Sequence, residues 1–390
     1  MARILKLAIV RTSNSSVDVR SYNVQEIGLA KGLLNCGVST DFYAIFQDLE
    51  LRQTIATHNA CEINLIPIKG LAFFGKITYF PKLIGLLIRN DYDVVQVHED
   101  SQLMTLLILK KCHDNGIKTV LYQGMYVHYK GINYIYQYFL DLFFKKTIQR
   151  NTNIMLAKTS LAKKYLEAKE YKDVTVLPVG LDYEKEQKPY HSRSKLEEFK
   201  ARYDKLLLYV GKIEKRRNPF FLIDILSHLD ANIALLIVGD GPLYAQMMEY
   251  AKKKNEMDRL LVIKSVSNSE ISDIYKICNV FLFPTNYEIY GMVVMEALFN
   301  GIPVISTPEA GPLAILTDEK LGVCLPLDIR MWIDKILYYF NCNNADIHTY
   351  RTEAVKKKYD WNVIAEQYCE MVFYINYRKQ YGRENGEKRL

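Results

Sequence analysis

Two glutamates, Glu288 and Glu296, flank Gly291 in the segment Pro284-Thr-Asn-Tyr-Glu-Ile-Tyr-Gly-Met-Val-Val-Met-Glu-Ala-Leu. An apolar, strand-like run precedes them, and a helix-like run opens at Gly291. A helix N-terminus offers N–H groups and the positive end of a dipole, which suits phosphate. Carboxylates beside it can accept hydrogen bonds from sugar hydroxyls. Upstream, Gly211-Lys212-Ile-Glu-Lys-Arg216-Arg217-Asn-Pro is a basic loop between a strand and a helix. Lys and Arg in such a loop can clamp a diphosphate. Between the two segments, Val238-Gly239-Asp240-Gly241-Pro242 is a strand entering a tight turn. Taken singly these features are ordinary: solvated carboxylates, a solvated charge run and a plain turn. Their order along one chain carries the information.

The surrounding pattern predicts how they are held. Strand-like runs at 4–10, 39–46, 93–98, 118–122 and 153–157 alternate with helix-like runs, including 22–35 and one running through Leu109. This is a βαβ rhythm, and it predicts a parallel sheet with helices on both faces. Residues 183–203 are polar and break the rhythm. It restarts with strands at 205–210, 233–238, 279–283 and 303–305 and a helix at 219–229. Two doubly wound α/β domains in tandem follow: 1–183, a linker at 184–203, and 204–357, with a last helix over 358–380 (read from Lys357 to Arg378). The terminal residues 380–390 read as a frayed tail. Ligands of such sheets bind beyond the carboxyl ends of the strands, and two facing sheets make a cleft.

Composition narrows the classes. The chain has 390 residues, 49% hydrophobic and 24% charged, which excludes a disordered or fibrous protein. No run is long and uncharged enough for a spanning helix, and the start lacks the pattern of a signal peptide. The seven cysteines are scattered without metal or redox spacing, as in a reducing cytoplasm. The net charge is +7. Residues 1–190 hold about 24 basic and about 18 acidic residues, roughly +6, so the second half is nearly neutral.

In this order the motifs resemble the retaining glycosyltransferases of family 4. Besides the segments above, they include Gly301-Ile-Pro303, Ala310-Gly311-Pro312 and Tyr359-Asp-Trp361 leading into Ala365-Glu-Gln-Tyr368. In the first half, Tyr22–Ala30 with Cys36-Gly37, Asp93–His98 and Val176–Asp182 are similar to the family's first helix, next strand and pre-linker turn. The resemblance implies the GT-B fold: two Rossmann-like domains facing a cleft, with the last helix crossing back to the N-terminal domain. It implies that Lys212 and Arg217 bind a donor diphosphate, Glu288 the transferred sugar and Glu296 the ribose. Gly211, Gly239, Gly241 and the backbone at Tyr290, Gly291 and Met292 would also line the donor. Acceptor-side residues would be Asn14, Ser15, Gln123 and Gly124, with His128 or His98 near the reacting carbon. The loop Arg11–Ser16 lacks the family's glycines, Ala314 replaces a common acid, and Lys264 stands where a glycine is common.

The implied reaction is same-face transfer from a nucleotide-diphosphate sugar to a saccharide or lipid-linked saccharide, in polysaccharide or glycoconjugate synthesis. No metal or other cofactor is expected. The rival readings are a nucleotide-sugar epimerase and a catalytically silent nucleotide-sugar-binding partner. A nicotinamide-dependent enzyme is disfavoured because no Gly-x-Gly-x-x-Gly follows the first strand, and no nucleic-acid motif accompanies the basic residues. Segments 70–89 and 132–146 are apolar with lysines. They read either as core helices or as contacts to an anionic membrane, placing the chain in the cytoplasm or on the membrane's inner face.

Overall fold

The computed structural model describes residues 3–19, 24–73, 77–183, 188–342 and 344–374. It divides into two compact units: residues up to Asp182 together with those from Tyr359 onward, and Tyr183–Lys358.

Among the described residues the first unit has ten strands: β1 (Leu5–Val10), β2 (Val38–Ala44), β3 (Gln53–His58), β4 (Cys61–Pro67), β5 (Leu71–Phe73), β6 (Ile77–Tyr79), β7 (Val94–His98), β8 (Lys118–Gln123), β9 (Ile154–Ala157) and β10 (Val174–Val176). Its helices are α1 (Gln25–Asn35), α2 (Leu83–Arg89), α3 (Leu103–Asp114), α4 (Ile132–Arg150) and α5 (Ser160–Ala168). Eight strands form one sheet in the order β10-β9-β8-β7-β1-β2-β4-β3, and only the β3–β4 pair is antiparallel. Strand order reverses between β1 and β7, whose carboxyl ends lead into Arg11 and Glu99.

The second unit begins with α6 (Arg193–Ala201) and continues β11 (Lys205–Val210), α7 (Pro219–Ser227), β12 (Ile233–Val238), α8 (Tyr244–Lys253), β13 (Leu260–Ile263), α9 (Ile271–Ile277), β14 (Val280–Phe283), α10 (Met292–Phe299), β15 (Val304–Ser306), α11 (Ala310–Ile315), β16 (Gly322–Cys324), α12 (Ile329–Cys342) and α13 (Ala345–Tyr359). Its sheet is wholly parallel, in the order β13-β12-β11-β14-β15-β16. Helices cover both faces of such a sheet, so its strands are apolar on both sides. All six residues of β12, Ile-Ala-Leu-Leu-Ile-Val, are buried. Order reverses between β11 and β14, where ligands of open α/β sheets bind.

Several expectations need correction. Residues 193–201, read as linker, form α6, because Leu196 and Phe199 supply a buried side. Segment 70–89 is a short antiparallel hairpin followed by α2, not one core helix. The final helix is not continuous: α13 ends at Tyr359, Asp360 is extended, and α14 (Trp361–Tyr368) begins anew. The Asp360 carboxylate accepts the Asn362 N–H at 2.7 Å, which caps the new helix. Trp361 lies against Gly28 of α1 and against Gly180, both in the first unit. Residues 20–23, 184–187 and 375–390, on which parts of the first-helix, linker and last-helix expectations fall, lie outside the described residues, as do 74–76 of segment 70–89.

Candidate active site

In the second unit, four loops meet at the carboxyl ends of β11, β12, β14 and β15. The loop after β11 turns through Gly211 and a short 3-10 turn, Lys215–Arg217, into α7. Its Ile213 N–H donates to the Asp240 carbonyl at 2.9 Å, and the Leu243 N–H donates to the Ile213 carbonyl at 3.0 Å. The loop after β12 therefore packs directly on it. A Cβ at Gly239 would stand 1.9 Å from the Gly211 carbonyl oxygen, so only glycine permits this approach. Gly241 continues the turn, its N–H donating to the Asp240 side chain at 2.8 Å.

The loop after β14 is laced to the same place. The Asn286 N–H donates to the Arg216 carbonyl at 2.8 Å, and Arg216 Nη1 donates to the Tyr287 carbonyl at 2.8 Å. At the centre, Arg217 Nη2 lies 2.6 Å from Glu288 Oε2, both side chains mostly buried. Arg217 Nη1 donates to Thr285 Oγ1 at 3.1 Å, and its guanidinium sits over the Phe283 ring at 4.7 Å. Its Nε is buried with no hydrogen-bond partner among the described residues. The other oxygen of Glu288 accepts the Gly291 N–H at 3.1 Å and the Tyr290 N–H at 3.4 Å. Gly291 has φ +83°, a left-handed turn that starts α10. The Gly311 N–H donates to the Glu288 carbonyl at 3.3 Å and brings in the loop after β15.

Thus Arg217, Glu288, Tyr290, Gly291 and Met292 stand together. Glu288 and Arg217, expected to serve sugar and diphosphate separately, are also bonded to each other. Glu296 lies further along α10, where Tyr275 Oη donates to its Oε2 at 3.2 Å. Lys212 is exposed on the β11 loop, its carbonyl accepting Tyr209 Oη at 2.8 Å.

The first unit has its own polar group at the β1–β7 reversal. His98 ends β7, buried, with Nδ1 3.7 Å from Glu26 Oε1. Gln96 Nε2 lies 3.1 Å from His98 Nε2, so a neutral ring accepting there carries its proton on Nδ1, toward Glu26. Burial holds the imidazole pKa down to about 3, against the pull of Glu26. Burial by itself would raise the Glu26 carboxyl; its charged neighbours, Arg11 first and then Lys158, outweigh it and hold it below its ordinary range. Lys158, also buried, is pushed down chiefly by burial and donates to Gln25 Oε1 at 2.9 Å. Glu99 accepts the Gly124 and Met125 N–H groups at 3.1 and 3.0 Å. Gln123 is buried between the Asp100 N–H, which it accepts at 3.0 Å, and the Met125 carbonyl, to which it donates at 3.1 Å.

The other expected residues are elsewhere. His128 is exposed after β8, with its ring 5.1 Å from that of Tyr165 and 5.9 Å from that of Tyr134. Asn14 and Ser15 are exposed after β1, Ser15 Oγ lying 2.8 Å from Ser13 Oγ. Glu26, Arg11, Lys158 and Glu99 were not foreseen. The signal for three of them was position: Arg11, Glu99 and Lys158 each follow a strand directly, where open sheets place functional side chains.

Residues 192–358 match the family described as "Glycosyl transferases group 1". An uncharacterized glycosyltransferase of Methanocaldococcus jannaschii is 23% identical over 170 residues, covering 42% of this chain and 43% of the relative, less than half its length. The 2-deoxystreptamine N-acetyl-D-glucosaminyltransferase of Niallia circulans is 22% identical over 329 residues, 79% of this chain and 83% of the relative. Among solved structures, the Anabaena HepE protein in complex with UDP aligns with a TM-score of 0.72 at 11% identity, covering 95% of this chain and 100% of that one. That likeness shows the fold, which is of the GT-B type.

Proposed function

Because residues 192–358 are a domain of the glycosyl transferases group 1 family, we propose that the chain transfers a sugar from a nucleotide-diphosphate sugar to a saccharide or lipid-linked saccharide. The observation that carries the reading is Arg217, held by Glu288 at 2.6 Å beside the start of α10, at the strand-order reversal of the second unit. The UDP bound to the Anabaena neighbour and the glycosyl transfer in the Niallia relative's name support the substrate class.

Donor diphosphate sits against Lys212, Arg217 and the α10 N-terminus, with the ribose at Glu296 and the transferred sugar at Glu288. The acceptor oxygen attacks the anomeric carbon from the face that the diphosphate leaves, so configuration is retained. The C–O bond to the diphosphate breaks, and a diphosphate oxygen takes the acceptor's proton. The protein's task is then to stabilise charge growing on the leaving group, which two cations and a helix end do without a metal. The residues Asn14, Ser15, Gln123, Gly124, His98 and His128 belong to the acceptor side. Neutral His98 orients polar groups there and is not a cation. The pathway is cell-surface polysaccharide or glycoconjugate synthesis, served from the cytoplasm.

The test is the anomeric configuration of the product by NMR, made from a labelled nucleotide sugar in the presence of EDTA. Retained configuration and undiminished turnover are expected. Inversion, loss of turnover with EDTA, or conversion of the donor without any acceptor defeats the reading, the last in favour of an epimerase.

A further inference from the structure

Helix α4 buries Leu140 and Ile148 but turns most of its apolar side chains to solvent. Three of its polar groups turn inward and are partnered. Gln137, fully buried, accepts the Tyr129 N–H at 2.8 Å and donates to Tyr165 Oη at 2.6 Å. Tyr136 Oη accepts the Leu103 N–H at 3.1 Å, and Asp141 pairs with Lys169 at 2.5 Å. The apolar side chains of one face turn outward. Ile132, Ile135, Tyr138, Phe139, Leu142 and Phe143 are each between 50% and 76% exposed. Their spacing of three and four residues makes one stripe, about 16 Å long at 1.5 Å per residue. A soluble helix places its stripe the other way round, and an exposed apolar patch of this kind marks an interaction surface.

We propose that this face of α4 docks on the surface of an anionic lipid bilayer. Charge decides the occupant. Exposed Lys130 precedes the stripe, and exposed Lys146 and Arg150 follow it. The one carboxylate of the helix, Asp141, pairs with buried Lys169 at the end of α5, and Lys145 pairs with Glu170, which leaves Lys130, Lys146 and Arg150 as the exposed cations flanking the stripe. Aromatic rings between cations suit the interface of an anionic membrane. A second copy fits less well: an antiparallel pairing of two α4 faces would set Lys130 of one against Lys146 and Arg150 of the other, with like charges opposed. Among the described residues no helix is long and apolar enough to cross a membrane, so α4 lies in the surface plane. The face belongs to the first unit and uses none of the residues assigned to transfer, so it is tested separately from that reading.

Flotation of the full chain with phosphatidylcholine vesicles containing about one-third phosphatidylglycerol tests it. The wild type should float, less so as salt rises. Leu142→Glu with Phe143→Glu should weaken binding at least about tenfold at an unchanged melting temperature. Lys146→Glu should weaken it in part. A Phe143→Trp variant gives a second reading that does not depend on how charge at the stripe is tolerated: its emission should shift to the blue when vesicles are added. No flotation at low salt, equal flotation of the double variant, or an unshifted tryptophan overturns the proposal. So does a wild-type dimer that the double variant splits.

Discussion

Arg217 is fixed from three sides: by Glu288 at 2.6 Å, by Thr285 at 3.1 Å and by the Phe283 ring beneath it. A planar guanidinium suits this setting, and a lysine cannot reproduce the fork. Arg217→Ala is therefore expected to lower kcat about 100- to 1000-fold, equivalent to about 2.7–4 kcal/mol of transition-state stabilisation. Arg217→Lys should recover little of it. Steady-state kinetics and circular dichroism separate lost chemistry from lost fold. His98 makes a different prediction. Its pKa falls from 6.5 to about 3 on folding, so below pH 6.5 the unfolded chain takes up a proton that the folded chain refuses. Stability should then drop as pH falls from about 6.5 toward 3, by up to ~1.4 kcal/mol per pH unit. Glu26, held below its ordinary range, loses its contribution in acid too, so the two act in the same direction. Urea titrations of wild type and His98→Gln between pH 7 and 5 check this. A variant with the same pH slope as wild type contradicts it.

At the scale of elements, the start of α10 is the critical joint. Gly291 has φ +83°, and a Cβ there would also meet Val294 Cγ2 at 3.3 Å. Gly291→Ala should cost about 1–2 kcal/mol, lowering the melting temperature of the second unit by about 2–8 °C. It should also displace the backbone that Glu288 holds. The parallel strands were legible in the sequence because burial on both faces writes an unbroken apolar run, as in β12. The same rule hid other elements. Strand β3 is almost wholly exposed at the sheet edge, so Gln53–His58 shows no apolar run. In α4 the periodicity is genuine but the stripe faces outward, and periodicity cannot say which way an apolar stripe points. The site divided likewise. Each motif of the second unit is a contiguous run and was readable, although Arg217 and Glu288 lie far apart in the chain. The Arg11, Glu26, His98 and Lys158 group gathers residues from four separate segments, three at strand ends and Glu26 on α1, and only the tertiary fold unites them.

At the scale of the whole molecule, the chain leaves its first unit at Asp182 and rejoins it at Tyr359. There Ile364, Ala365, Tyr368 and Cys369 are fully buried and Trp361 nearly so. Trp361→Ala should destabilise the first unit by about 3–5 kcal/mol, seen in calorimetry as a lowered transition of that unit with the transition of the second unit unchanged. The distribution of charge also gains a reading at this scale. On the proposed function the nearly neutral second half would bind phosphate through a few local groups, while the cations of the first half include those flanking the α4 stripe. The measurement that bears most directly on the donor site is a thermal-shift titration with nucleotide-diphosphate sugars, on wild type and Arg217→Ala side by side. At about 100 times its dissociation constant, a cognate donor should stabilise the wild type by about 2.7 kcal/mol and the variant far less. No stabilisation by any nucleotide sugar, or equal stabilisation of both proteins, would contradict a donor site built on Arg217.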